Sequence, residues 1–157
     1  MRQYRLSKYD PTFRDAKGIY TRDEWTFFAQ VGTVVCGKVV TLAEYEAKEA
    51  AYIRVVCSLV DASSIGPYVV SDLQGTHAEL QESTSINRSA IPSILRSLLR
   101  EEYWCRLTDS FGHFIHVGWD FYLYLGLPDN LDNPEAIASA EELFLETFES
   151  PYHADAD

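Results

Sequence analysis

The chain has 157 residues, of which 46% are hydrophobic and 24% are charged, and its formal net charge is -11. This length supports one well-buried core and argues against two domains, so we expect a single domain over residues 1–152 and a disordered tail at 153–157. No apolar run reaches the roughly 20 residues of a membrane-spanning helix, and the amino terminus lacks the apolar block of a secretory signal. We therefore expect a soluble, cytoplasmic protein without a membrane partner.

Negative charge is concentrated in the last third of the chain. Residues 1–106 contain all 13 Lys and Arg against 13 Asp and Glu, whereas residues 107–157 contain 11 acids and no Lys or Arg. Because contacts to phosphates require clustered cations, this asymmetry argues against a nucleic-acid partner and favours a basic protein partner. The alternative is that the acidity only maintains solubility.

The first half of the chain is predicted to contain two strands and two helices. Residues 2–8 alternate weakly and indicate an opening strand, and residues 68–74 indicate another. Capping boxes, in which Thr precedes Glu by three residues, predict a short helix over 21–29 and a longer one over 41–61. The β-branched run at 33–40 is either a short strand or a buried connection.

The second half of the chain mixes helices with a long hairpin. Polar residues from Gly75 to Arg88 predict a mobile loop, and an apolar stripe after it predicts a helix from Ile91 to Arg100. Asn133 and Pro134 are a favourable pair for the start of a final helix. The run LFLETF that follows either extends this helix or forms an edge strand.

The stretch HFIHVGWDFYLYL at residues 113–125 is predicted to be one long strand, bent at Gly118 and returning from a hairpin that spans about 103–125. One face would carry the apolar residues, which include Trp119 and Phe121. The other face would carry polar and aromatic side chains. The predicted fold class is therefore α+β, with an antiparallel-containing sheet, the long hairpin and about four helices packed on the sheet.

Candidate catalytic and metal-binding groups do not combine into a site. His113 and His116 would lie on opposite faces of the strand, and about 13 Å would separate His116 from Asp120. The chain has no nucleotide-binding, serine-hydrolase or zinc-protease motif. The cysteines Cys36, Cys57 and Cys105 form no CxxC pair. We expect no enzymatic activity, no cofactor, no metal and no disulfide, and an enzyme of unrecognised type is kept as an alternative.

Glu49 lies within the apolar stripe of the predicted helix at 41–61, where an unpaired charge would be costly. It therefore needs a partner. A Tyr hydroxyl or an Arg within the fold would make it structural, and a partner molecule would make it functional.

The polar face of the long strand is the predicted partner-binding surface. Tyrosine offers large contact area at low entropic cost, and an aspartate beside it can pair with Arg or Lys of a partner. Internal packing of this face against a helix is the alternative. The predicted partner-binding residues are those of this face together with acids of the last third: His116, Asp120, Tyr122, Tyr124, Asp129, Asp132, Glu135, Glu141 and Glu142.

Several segments between Tyr4 and Tyr152 carry a resemblance to a known class of proteins. They are the opening RLSKYDPxFRD, then GxY and DEWT, then TLAEYExxExxYI, and the closing FESPY. In these segments the chain resembles small acidic bacterial proteins of toxin-immunity gene pairs. The resemblance implies a cognate inhibitor that binds a secreted toxin domain and blocks it in the cytoplasm. Because toxins that act on nucleic acid present cationic sites, the acidic last third adds the expectation of a basic toxin domain, such as a nuclease, whose active site is occluded. A phage or bacterial regulatory protein that binds a host factor is the alternative, and gene neighbourhood distinguishes the two.

Overall fold

A computed structural model describes residues 1–76 and 80–152, so the predicted disordered tail and His77 of the predicted loop lie outside the described residues. A seven-stranded antiparallel sheet has the order β5-β4-β6-β7-β8-β1-β9, and β2 and β3 form a separate hairpin. The strands are β1 (Arg2–Ser7), β2 (Val34–Val35), β3 (Lys38–Val39), β4 (Tyr68–Gln74), β5 (Ser85–Ile86), β6 (Trp104–Asp109), β7 (Phe114–Val117), β8 (Leu123–Leu127) and β9 (Phe144–Thr147). The α-helices are α1 (Leu42–Ser63), α2 (Ile91–Leu99) and α3 (Pro134–Ser139).

The predicted fold class, with about four helices packed on a sheet, is wrong. In residues 1–76 and 80–152 the large antiparallel sheet dominates and only three α-helices accompany it. The helix predicted at 21–29 is replaced by a 3₁₀ turn at Phe28–Gln30. Its capping box is not used, because the carboxylate of Glu24 accepts hydrogen bonds from Lys8 Nζ (2.7 Å) and the Tyr20 hydroxyl (2.6 Å) instead. The run LFLETF forms β9, which was one of its two predicted states.

Helix α1 is confirmed and is longer than predicted. Its Thr41 cap accepts a hydrogen bond from the backbone N–H of Glu44, as the capping box requires. With α2, this helix covers one face of the sheet and buries a core that includes Tyr45, Tyr52 and Leu95. Each large apolar side chain buried there contributes about 1.5–3 kcal/mol to stability.

Glu49 is held by arginines of the fold, which confirms one of its predicted states. Its carboxylate accepts two hydrogen bonds from the guanidinium group of Arg100, at 2.7 and 2.9 Å, and lies 3.4 Å from Arg96. The pair joins α1 to α2. Glu49 is therefore a structural carboxylate whose charge is satisfied inside the protein.

The stretch at 113–125 is not one long strand but two strands joined by a turn. The backbone N–H of Tyr122 donates to Trp119 O at 3.1 Å, and the two residues between them, Asp120 and Phe121, both have positive φ (56° and 62°). Val117 pairs with Leu123, so both strands keep the same residues facing the core. The alternation of apolar residues therefore continues through the turn, so periodicity alone could not reveal that the chain turns here.

The second face of the sheet is covered in part by the segment at 148–152. Ser150 Oγ lies 3.2 Å from His116 Nδ1, and its backbone N–H donates to the side chain of Gln3 at 2.8 Å. The Tyr152 ring lies 5.8 Å from that of Tyr124. The alternative of internal packing thus holds for this part of the strand face, although a carboxyl-terminal segment rather than a helix provides the cover.

Among the described residues, no helix is both long enough and apolar enough to cross a membrane.

Candidate partner-binding site

A cleft of about 810 Å³ opens at one end of the sheet, where β4 ends, β6 begins and β7 turns into β8. Antiparallel pairing of Gln74 with Trp104 and of Arg106 with His116 brings these three ends together. The lining residues fall into aromatic, charged and small groups: Trp104, Trp119, Tyr103, Tyr152, Asp72, Glu101, Glu102, Arg106, Gly75 and Gly118, with Leu73, Gln74, Leu98 and Val117.

The aromatic wall of the cleft is held in place by hydrogen bonding and close packing. Trp104 Nε1 donates to the carbonyl oxygen of Val117 at 2.6 Å, and its ring lies 5.6 Å from that of Tyr152. A Cβ at Gly118 would lie 2.8 Å from the Tyr124 ring, and one at Gly75 would lie 3.2 Å from Cβ of Tyr103. Glycine at both positions therefore permits the close approach that shapes the cleft.

Trp119 stands at the edge of the cleft with 77% of its surface exposed. Its indole makes no hydrogen bond and no ring contact with any residue in 1–76 or 80–152. Unlike scattered surface leucines, an indole of this exposure is a large apolar area left open to water.

The turn that carries Trp119 is fixed from inside the protein. Tyr9 donates from its hydroxyl to the carbonyl oxygen of Asp120 (2.6 Å), and Tyr52 donates to that of Phe121 (2.9 Å). The Phe121 ring packs 4.9 Å from Tyr52 and 5.1 Å from Trp25. A phenylalanine at positive φ costs about 1–3 kcal/mol, which this core packing offsets. The turn is thus rigid, and it orients Trp119 outward.

The acidic rim of the cleft also departs from what stability favours. Glu101 and Glu102 end α2 in a Schellman motif, with their N–H groups donating to Leu98 O (3.1 Å) and Ser97 O (3.0 Å). Glu101 has φ 58° at the position where glycine is preferred. Both acids also lie at the negative end of the helix dipole, where cations are favoured. A stability-driven choice would place neither acid there.

Four of the nine non-glycine residues with positive φ in the described part of the chain lie at or beside this cleft. Asp72 at its β4 wall has φ 54°, next to the irregular pairing between Ser71 and Gln74. Together with Glu101, Asp120 and Phe121 it makes four positive-φ positions at or beside the cleft. Such strain concentrates at binding and active sites, where the surrounding structure maintains it.

The charges in the cleft are mostly negative. Asp72 pairs with Arg106, whose Nε lies 3.1 Å from the carboxylate, and Glu101 and Glu102 add two further acids. Burial raises the pKa of Tyr103 to about 12, so its hydroxyl remains neutral at physiological pH. Among the described residues, the lining contains no His, Cys, Ser, Thr or Lys, and no group of three possible metal ligands occurs among them.

The residues predicted on the polar face of the long strand differ in their exposure in the structure. His116 is 2% exposed and Tyr124 is also buried, so neither side chain is accessible at the surface of this structure, and their role as partner contacts stays a prediction. Tyr122 is half-buried, with its hydroxyl accepting a hydrogen bond from Arg14 at 3.1 Å. Asp120 is exposed and adjoins Trp119 at the cleft.

The predicted acids of the last third do not line the cleft. Asp129 pairs with the amino group of Met1 at 2.6 Å, beyond the end of β8 that lies away from Trp119. Glu141 accepts two hydrogen bonds from Arg54, at 3.0 and 2.6 Å. Asp132, Glu135 and Glu142 are exposed. These acids therefore contribute to the charge of the surface and do not form one site with Asp120.

Sequence reasoning missed the residues that build the cleft. It assigned Trp119 to the core because the turn kept the alternation of the strands, and it gave no role to Glu101 and Glu102. One sequence signal was available: an acid pair follows directly on a predicted helix, where cations or glycine are favoured.

Comparisons of the chain with protein-family models, with curated proteins and with solved structures found no match.

Proposed function

We propose that this protein binds a basic protein and neutralises it, in the manner of a bacterial immunity protein that occludes the active site of a cognate toxin domain in the cytoplasm. The observation that carries this proposal is Trp119, an exposed indole on a rigid, strained turn beside an acidic cleft. Tryptophan is enriched among residues that dominate binding energy. Because the backbone that carries this indole is already fixed, only the side chain has to lose entropy when a partner covers it.

Long-range attraction and short-range contact have different sources in this proposal. The formal charge of -11 attracts a cationic partner and accelerates association. Exposed acids outside the cleft, such as Asp132 and Glu135, add to this field without needing to touch the partner. Trp119 and the cleft then supply the buried contact area that determines how long the complex lasts.

A binding role accounts for the cleft better than a catalytic one. Its aromatic groups offer contact area, and its charged groups are three carboxylates and one guanidinium group. At three of its four positive-φ positions, Asp72, Glu101 and Asp120, the side chain is exposed, whereas that of Phe121 points into the core. A toxin domain that acts on nucleic acid presents a cationic surface, to which an aromatic and acidic site is complementary.

A growth test in bacteria examines this role. The polypeptide encoded by the gene immediately upstream is induced in a sensitive host, alone or together with this protein. We expect growth arrest by the upstream polypeptide alone and restored growth when this protein is present. Continued arrest in the presence of the protein, or an upstream polypeptide that is harmless, contradicts an immunity role.

Variants of the protein test whether protection depends on Trp119. Trp119→Ala should protect poorly. Phe111→Ala is the matched control and should protect like the unmodified chain. Phe111 is 81% exposed on the β6–β7 turn, at the end of β7 opposite to Trp119. Equal protection by both variants would show that Trp119 is not the contact.

A further inference from the structure

The charge balance of the cleft is incomplete on one side. Asp72 pairs with Arg106, but Glu101 and Glu102 form no ion pair with any residue that the structure describes. Other carboxylates of the same fold, such as Glu49 and Glu141, do have arginine partners. Within the described part of the chain, the cleft thus presents two acids that have no ion-pair partner.

The cleft already contains one guanidinium group that lies near both an aromatic ring and a carboxylate. The guanidinium group of Arg106 lies 5.9 Å from the ring of Trp104 and pairs with the carboxylate of Asp72. An aromatic face and a carboxylate together are a favourable environment for a guanidinium group. Trp119 with Glu101 and Glu102 offers the same two components on the same cleft, and no cation of the described residues pairs with these acids.

We infer that this cleft is the subsite for one arginine side chain of the basic partner, taken up between Trp119 and the Glu101–Glu102 pair. This inference rests on the proposed function, because it names the group that such a partner would insert. Arginine is favoured over lysine because its planar guanidinium group stacks on an indole, binds carboxylates through two N–H groups and is less strongly hydrated. At about 810 Å³ the cleft also has room for the backbone flanking that side chain.

Nuclear magnetic resonance of the full chain can test this assignment with a small probe. The chain has three tryptophans, and Trp25 is buried in the core, so its indole signal is an internal reference. The probe is the peptide acetyl-Gly-Arg-Gly-amide, and its neutral control replaces arginine with citrulline, which has nearly the same shape. We expect saturable shifts of the Trp104 and Trp119 indole signals with the arginine peptide, no shift of Trp25, and binding of the citrulline peptide several-fold weaker.

Charge-neutralising variants locate the binding. The double variant Glu101→Gln with Glu102→Gln should lower the affinity for the arginine peptide about three- to ten-fold, as expected for two partly solvated ion pairs. Asp132→Asn with Glu135→Gln removes the same charge from a surface outside the cleft and should change the affinity less than about twofold.

Three results would overturn the arginine subsite. They are equal affinity for the arginine and citrulline peptides, equal weakening by the two double variants, and tighter binding of a neutral oligosaccharide such as cellotetraose at the same indole signals. If the peptide fails to bind but Trp119→Ala still abolishes growth protection, the subsite falls and the proposed function stands. If the peptide binds as expected but no protection is found, the proposed function falls and the subsite remains.

Discussion

The hydroxyl of Tyr52, in the middle of α1, donates a hydrogen bond of 2.9 Å to the carbonyl oxygen of Phe121 in the β7–β8 turn. A fully buried helix residue thereby holds a backbone conformation that phenylalanine seldom adopts. Because Trp119 lies two residues before Phe121, this bond connects the core to the proposed binding surface.

Tyr52→Phe should lower the free energy of unfolding by about 1–3 kcal/mol, because it leaves the buried Phe121 carbonyl without its donor while keeping the ring in place. Tyr68→Phe is the matched control. Tyr68 is equally buried, but its hydroxyl has no hydrogen-bond partner among the described residues, so losing it should be neutral or stabilising. Urea denaturation measures both variants, and equal losses would show that the Tyr52 bond does not stabilise the turn.

Glu101→Gly should raise the free energy of unfolding by about 1 kcal/mol, since glycine accepts the left-handed conformation and the change removes an acid from the negative end of α2. Glu102→Gly should not stabilise the protein, because Glu102 is not among the positive-φ residues. Thermal unfolding compares the two variants. If Glu101→Gly instead lowers the free energy of unfolding, then Glu101 stabilises the fold and does not cost stability at this position.

Glu49→Leu should cost roughly 3 kcal/mol or more, because it leaves Arg100 without its bidentate partner in the α1–α2 interface. Glu46→Leu is a matched control on the same helix. The Glu46 side chain is 51% exposed, against 4% for Glu49. Glu46→Leu should therefore change the free energy of unfolding by less than about 1 kcal/mol. An unchanged melting temperature in Glu49→Leu, accompanied by lost partner binding, would instead make Glu49 functional.

Asp109 should contribute stability that is lost in acid. Burial acts to raise the pKa of its carboxyl group, but hydrogen bonds from the His113 ring and from the backbone N–H groups of Phe111 and His113 outweigh burial and lower the pKa below its usual value. A depressed folded-state pKa means that this stabilisation is fully present above the unfolded-state pKa of about 3.9 and disappears as the pH falls through the folded-state value.

Asp109→Asn provides the comparison for that pH dependence, since its amide oxygen can still accept the backbone hydrogen bonds. The difference in unfolding free energy between the unmodified chain and the variant should shrink as the pH is lowered from about 5 to about 2. Denaturant titration across that range measures it. A difference that stays constant with pH would mean that the charge of Asp109 does not stabilise the fold.

Elements with local signals were predictable from the sequence. The Thr41 cap, the apolar stripe of α1 and the proline at the start of α2 each depend on neighbours within one or two turns. The capping box at Thr21 had the same local form but failed, because Lys8 and Tyr20 compete for the Glu24 carboxylate from outside the segment. The contact from Lys8 comes from 16 residues away and leaves no mark on local spacing.

The candidate site was not predictable for a related reason. A turn of two positive-φ residues usually has Asn or Asp followed by Gly, whereas here Phe121 follows Asp120, and the two are kept in that conformation by Tyr9 and Tyr52, more than 60 residues away. Burial of His116 likewise depends on the distant segment that contains Ser150. Side-chain alternation predicted which residues share a face but not what covers it.

Calorimetric titration of Trp119→Ala against the upstream polypeptide tests the central claim most directly, namely that the β7–β8 turn and its cleft are the partner-binding surface. We predict that Trp119→Ala weakens the complex by at least about 2 kcal/mol with an unchanged melting temperature, and that Phe111→Ala binds like the unmodified chain. If Trp119→Ala binds with unchanged affinity, or if Phe111→Ala weakens the complex as much, the partner does not bind at this turn.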